Sequence, residues 1–122
     1  MNVARWVVRG SFLVQLLLGI GLWIGRFDIA KPVHIVVGVI FVLAMWTVAV
    51  FALRAGGNRV LGAVVVVWGV GLAVFGLVQE SILTGGAHWV IQVLHLVVGF
   101  AAIGMTEALA GRTSAVRIPP AA

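Results

Sequence analysis

Apolar residues fall along this chain in four long runs, and the short segments between the runs are rich in charged residues, glycine and proline. The runs extend roughly over residues 4–25, 32–53, 60–79 and 87–110. Each has about the 20 residues that an α-helix needs to cross roughly 30 Å of hydrocarbon. The pattern therefore predicts an all-α fold, an integral membrane up-down bundle of four helices.

The segments between the runs carry signals that end helices. Pro32 suits the first turn of the second helix, and glycine pairs at 56–57 and 85–86 predict turns. The first run is too long for a cleaved signal peptide and is followed by no small-x-small cleavage site. We therefore expect one transmembrane domain over residues 1–112 and a flexible tail over 113–122, which includes Pro119 and Pro120.

Composition supports a lipid environment and removes several classes of function. Hydrophobic residues make up 63% of the 122 residues and charged residues 9%, against about 45–50% and about 25% in soluble domains. The chain has no cysteine, which excludes disulfides, thiolate metal sites and covalent c-type heme. The net charge of +5 comes from basic residues placed singly or in pairs at the ends of the runs, so we expect no nucleic-acid partner.

Basic residues are divided unevenly between the two ends of the predicted helices. Six fall at one end, namely Arg5, Arg9, Arg54, Arg59, Arg112 and Arg117. Only Arg26 and Lys31 fall at the other, together with Asp28 and Glu80. Because basic residues concentrate on the cytoplasmic side, both termini are predicted to be cytoplasmic, in a multi-pass protein of a bacterial or archaeal inner membrane.

The two halves of the chain resemble each other. The first contains GIGLWIG (19–25) and then PVHIVVG (32–38), and the second contains GVGLAVFG (69–76) and then VLHLVVG (93–99). Each half thus reads as a glycine-rich helix, an outer loop and a histidine helix. Internal duplication explains this similarity, and so does the low complexity of apolar membrane sequence.

His34 and His95 place ionisable side chains inside apolar spans, where such residues are costly and usually functional. The second and fourth helices run in the same direction, so both histidines fall in the outer half of the bundle and face one core. Two imidazoles there suit axial ligation of a heme b iron. His88 is the alternative to His95, since its depth matches His34 better, whereas the repeat favours His95.

Glycines collect at the depth of the histidines, where a missing side chain would let the backbone approach a flat cofactor. The predicted cofactor-binding glycines are Gly19, Gly21, Gly25, Gly38, Gly69, Gly71, Gly76 and Gly99. Close helix–helix packing is the competing explanation. Arg26 and Lys31 are the basic residues expected to pair with a heme propionate, unless they are only solvated loop charges.

The order of helices and histidines resembles that of four-helix membrane cytochromes b, most closely one half of heme A synthase, over roughly residues 10–110. Cytochrome b561-type proteins are a looser match. The resemblance implies heme ligation by His34 and His95. Heme A synthases typically carry an acidic residue in the first outer loop, here Asp28, and glutamate and arginine beside the second-helix histidine. Here Val33 and Ile35 flank His34, a departure that favours heme b binding over heme A synthesis.

We therefore expect an electron-transfer protein more than a catalyst, exchanging electrons between a quinol or membrane partner and an acceptor at the outer face. A heme-modifying activity, like that of heme A synthase, is the catalytic alternative. The alternative is a non-catalytic accessory subunit of a larger respiratory or photosynthetic complex. The expected partners are the lipid bilayer and, for so compact a chain, further copies of itself or a larger assembly. No span carries a carboxylate near its middle, which argues against a transporter.

Overall fold

The computed structural model describes residues 1–25 and 30–116. These residues form four α-helices, α1 (Asn2–Trp23), α2 (Lys31–Arg54), α3 (Arg59–Val78) and α4 (Trp89–Val116), with a short 3-10 turn at Gln79–Ser81. All four helices are long and apolar enough to cross a membrane. The predicted class, a bundle of four apolar helices, is confirmed. Arg26, Asp28 and Arg117 lie outside the described residues.

The helix ends agree with the predicted ends to within two residues for α1, α2 and α3, but α4 extends well beyond its predicted end. It begins at Trp89 and continues to Val116, beyond the predicted end at 110. Thr113, which we expected in a flexible tail, is buried, and its hydroxyl donates to the carbonyl oxygen of Leu109 at 2.8 Å. Its Oγ1 lies 2.7 Å from the position of a Cβ built on Gly57. The last turns of α4 therefore stay helical because they pack on the α2–α3 turn, and only residues 117–122 of the expected tail fall outside the described residues.

The α2–α3 turn follows the expected glycine chemistry. Gly56 has a φ of +78°, in the left-handed region that costs glycine little. The Gly57 N–H then donates to the carbonyl oxygen of Ala52 at 2.8 Å, as in common helix C-terminal caps. The Asn58 side chain accepts from the N–H of Leu61 at 2.9 Å and caps α3.

Helices α2 and α4 form the centre of the bundle. They contact each other, and each also contacts α1 and α3, whereas α1 and α3 do not touch within the described ranges. In an up-down bundle α2 and α4 run in the same direction, so they lie parallel across the short diagonal. Residues in the first turns of α2 and α4 therefore lie at the same end of the bundle.

Burial is uneven along the bundle axis. We call the end that holds Met1 and Val116 the terminal end, and the end where α2 and α4 begin the loop end. The fully buried side chains, including Val8, Met45 and Leu109, lie between the middle of the bundle and the terminal end. The loop end, where both histidines lie, is less densely packed.

Two tryptophans join neighbouring helices within the bundle. The indole N–H of Trp46 donates to the carbonyl oxygen of Val66 at 3.2 Å, and that of Trp68 donates to the carbonyl oxygen of Val98 at 3.1 Å. These bonds satisfy the polar atoms of two large side chains in an apolar environment. Both residues pack against the hydrophobic core.

Candidate functional site

His34 and His95 come together near the loop end. His34 lies one turn into α2, and His95 lies somewhat deeper in α4. Their ring centroids are 6.4 Å apart and their planes are inclined by 51°. A metal bound linearly by two imidazoles, about 2 Å from each nitrogen, holds the ring centroids roughly 6 Å apart. The separation of the two rings is therefore suitable for a metal held between them.

A glycine on the neighbouring helix makes room for each imidazole. A Cβ built on Gly19 of α1 would lie 3.4 Å from His34 Cε1, and one built on Gly76 of α3 would lie 3.2 Å from His95 Cε1. The Cε1 edges of the two rings thus face opposite flanks of the bundle, that of His34 towards α1 and that of His95 towards α3. Phe75 also packs on His95, with ring centroids 5.5 Å apart. Gly19 and Gly76 therefore make room for the histidine rings.

The second nitrogen of each imidazole has no partner. Nδ1 of His34 and Nδ1 of His95 are both buried without a hydrogen bond. Thr47, a polar residue of α2, is exposed and donates to the carbonyl oxygen of Leu43 at 2.8 Å. Neither Nδ1 is bonded to Gln92 or to a backbone carbonyl in the described part of the chain. The histidine pair therefore keeps unused hydrogen-bonding capacity.

Gln15 is a polar residue of this region that the sequence analysis missed. Its Oε1 is buried without a partner, and its Nε2 lies 2.7 Å from the position of a Cβ built on Gly38. The signal in the sequence was a glutamine four residues before Gly19, on the same helix face. That signal is weak without knowledge of which face of α1 meets α2.

The site has a charged boundary on one side and an aromatic boundary on the other. Towards the loop end, Lys31 Nζ lies 2.6 Å from Glu80 Oε2, and the two side chains are 52% and 63% exposed. Towards the terminal end, the Phe12 ring contacts those of Phe41 and Phe100, with centroids 5.8 and 5.0 Å away. The histidine pair is thus separated from the dense core by a layer of phenylalanines.

The other predicted site residues have varied surroundings. Gly38, Gly69 and Gly99 face the side chains of Gln15, Trp46 and Phe12, Gly21 is buried, and a Cβ on Gly25 or Gly71 would meet nothing within 4 Å. A role for these glycines in cofactor binding stays a prediction. In the repeat Gly19 corresponds to Gly69, but only Gly19 faces a histidine.

His88 is separate from the histidine pair. It lies before the start of α4, and its Nδ1 is 3.2 Å from the carbonyl oxygen of Ile82. This contact holds the ring against the loop that precedes it. His95 is the histidine that the fold brings to His34.

The donor set limits the chemistry of the site. Within residues 1–25 and 30–116, no three His, Cys, Asp or Glu side chains converge in a way that could hold a metal ion. A zinc ion held by protein side chains needs three or four ligands, whereas a heme iron takes four nitrogens from its macrocycle and needs only axial ligands. A pair of neighbouring imidazoles supplies the number of protein ligands that the second arrangement needs.

Comparison with known proteins gives no further guidance. The chain matches no protein-family model, no curated protein and no solved structure. The histidine pair is therefore the feature of this chain that bears on its function.

Proposed function

We propose that this protein is a membrane-embedded heme b protein in which His34 and His95 are the axial ligands. The observation that carries the proposal is the approach of the two imidazoles, 6.4 Å between ring centroids, across the short diagonal of the bundle. Ionisable side chains in membrane spans usually mark a functional site. A heme iron held by two histidines supplies one-electron redox chemistry.

The residues around the pair would serve to position and shield it. Gly19 and Gly76 let the imidazoles lie against α1 and α3. The phenylalanine layer of Phe12, Phe41 and Phe100 excludes water from the side of the terminal end. Lys31 is the described basic residue nearest to the start of the histidine helix, and binding a propionate would require it to share or leave Glu80.

The position of the pair indicates how electrons would be exchanged. The histidines lie near the loop end, which the distribution of basic residues assigns to the outer face of a bacterial or archaeal cell membrane. An acceptor would therefore approach the loop end. A quinol or a membrane partner would donate electrons from within the bilayer.

The test is the visible spectrum of the detergent-purified protein after loading with heme and reduction. We expect a six-coordinate b-type spectrum, because both axial positions are filled by imidazole. His34→Ala and His95→Ala should each abolish it, and added imidazole should restore it. His88→Ala is the matched control and should keep the wild-type spectrum.

Two outcomes would refute the proposal. One is a protein that takes up no heme when expressed alone but copurifies with a larger respiratory or photosynthetic complex, which would support the accessory-subunit alternative. The other is a six-coordinate spectrum that survives in His95→Ala and disappears in His88→Ala.

A further inference from the structure

Gln15 is a buried polar residue that ligation by the two histidines does not use. Its amide occupies the space left by the missing side chain of Gly38, since a Cβ there would lie 2.7 Å from Gln15 Nε2. Its Oε1 is buried and accepts no hydrogen bond. An unpaired buried acceptor is destabilising by about 1–3 kcal/mol. A donor for this oxygen is therefore to be expected.

The helix registers place Gln15 next to His34. On α1, Gln15 lies four residues before Gly19, against which the His34 ring packs. On α2, Gly38 lies four residues after His34. Residues four apart share a helix face about 6 Å from each other. The amide of Gln15 and the imidazole of His34 therefore occupy adjacent levels of the α1–α2 contact.

Among the nearby donors, His34 is the residue that can donate a hydrogen bond to Gln15 Oε1. The hydroxyl of Ser11, one turn away on α1, already donates to the carbonyl oxygen of Val7 at 2.6 Å. The ring of His95 packs on Gly76 of α3, and α3 does not contact α1 within the described residues. His34 Nδ1, in contrast, is buried, unpaired and one turn from Gln15.

We infer that Gln15 is a positioning residue for His34. Rotation of the flexible Gln15 side chain lets its Oε1, which can only accept, take the hydrogen of His34 Nδ1 directly. The bond keeps His34 in the tautomer protonated on Nδ1, which leaves the lone pair of Nε2 for a metal, the arrangement common to metal-bound histidines.

This inference deepens the proposed function, on which its metal-binding consequence rests. The tautomer itself does not depend on heme, so we test it in the full-length protein without heme. Histidines labelled with nitrogen-15 report their tautomer through two-bond proton–nitrogen correlations in detergent micelles. In the wild type, His34 should be protonated on Nδ1.

Two variants should disturb this tautomer in different ways. Gln15→Met removes the acceptor at nearly constant volume. Gly38→Ala keeps the acceptor but displaces it, because the new Cβ takes the place of the amide end of a flexible side chain. In both, His34 should shift from the Nδ1-protonated tautomer towards a mixture with the Nε2-protonated one.

Gln92→Met and Gly71→Ala are the matched controls, and both should keep the wild-type tautomer of His34. The inference is overturned if wild-type His34 is protonated on Nε2, or if the two test variants leave its tautomer unchanged. A tautomer that depends on Gln15 in a protein that gives no six-coordinate heme spectrum would reject the proposed function and retain this inference. A six-coordinate heme spectrum together with a His34 tautomer that does not depend on Gln15 would retain the proposed function and reject this inference.

Discussion

Gly69 and Gly71 lie two residues apart on α3 and face different surroundings. Gly69 is buried against Trp46, and a Cβ there would lie 2.7 Å from Trp46 Nε1. That indole cannot easily move, because its N–H is bonded to the carbonyl oxygen of Val66. Gly71 is exposed and has nothing within 4 Å of its Cβ position. The same residue type therefore has a packing role at one position and none at the other.

Alanine substitutions at these two positions should have opposite effects on stability. Gly69→Ala overpacks the α2–α3 contact and should lower the free energy of unfolding by about 1–3 kcal/mol. Gly71→Ala removes backbone freedom from the unfolded chain and should raise it by about 0.5–1 kcal/mol. Reversible unfolding in mixed detergent micelles measures both. Equal effects at the two sites would contradict this account of Gly69.

At the scale of the helices, α1 is fixed to α4 by charged side chains near the terminal end. Glu107 of α4 accepts from Arg5 at 2.6 Å and from Arg9 at 2.7 and 2.9 Å. The Glu107 side chain is only 25% exposed. Charge-assisted hydrogen bonds of this kind are stronger than neutral ones. They join two helices that pack against each other less extensively than α1 and α2 do.

Removing the charge of Glu107 should weaken the bundle. Glu107→Gln leaves two guanidinium groups close together with a poorer acceptor, and we expect a loss of about 2 kcal/mol in the free energy of unfolding. Glu80→Gln is the matched control. It breaks the exposed pair with Lys31 and should cost at most about 1 kcal/mol. If the two variants are equally stable, Glu107 does not stabilise the contact between α1 and α4.

At the scale of the whole molecule, the bundle has a dense terminal end and a more open loop end with the histidine pair. This division follows from where the large buried side chains fall along the helices. Because the two helices are parallel, the histidines lie towards one membrane face. Which face that is depends on the orientation of the bundle, for which the distribution of basic residues predicts cytoplasmic termini.

The absence of cysteine from the sequence allows a direct test of this orientation. Single cysteines are introduced by Asn2→Cys at the terminal end and by Thr84→Cys at the loop end; both positions are exposed. In intact cells a membrane-impermeant maleimide should label position 84 and reach position 2 only after permeabilisation. The reverse pattern would place the histidine pair at the cytoplasmic face.

The hydropathy pattern was sufficient to predict four helices and most of their ends. A helix that crosses a bilayer must form all its backbone hydrogen bonds internally and present an apolar surface to lipid. Both requirements depend only on the length and composition of the segment itself. The one large error, the end of α4, came from a tertiary contact. Thr113 packs on the α2–α3 turn, and nothing near residue 110 signals that contact.

The sequence by itself determined that this chain has four apolar spans, with two histidines in spans that run in the same direction. Only the tertiary structure decided that His34 meets His95 and not His88, that Gly19 and Gly76 make room for the two rings, and that Gln15 packs on Gly38. The physical reason is that the lipid outside the bundle and the interior of the bundle are both apolar. The outward and inward faces of each span therefore look alike in sequence, and the choice between them depends on how the four helices pack.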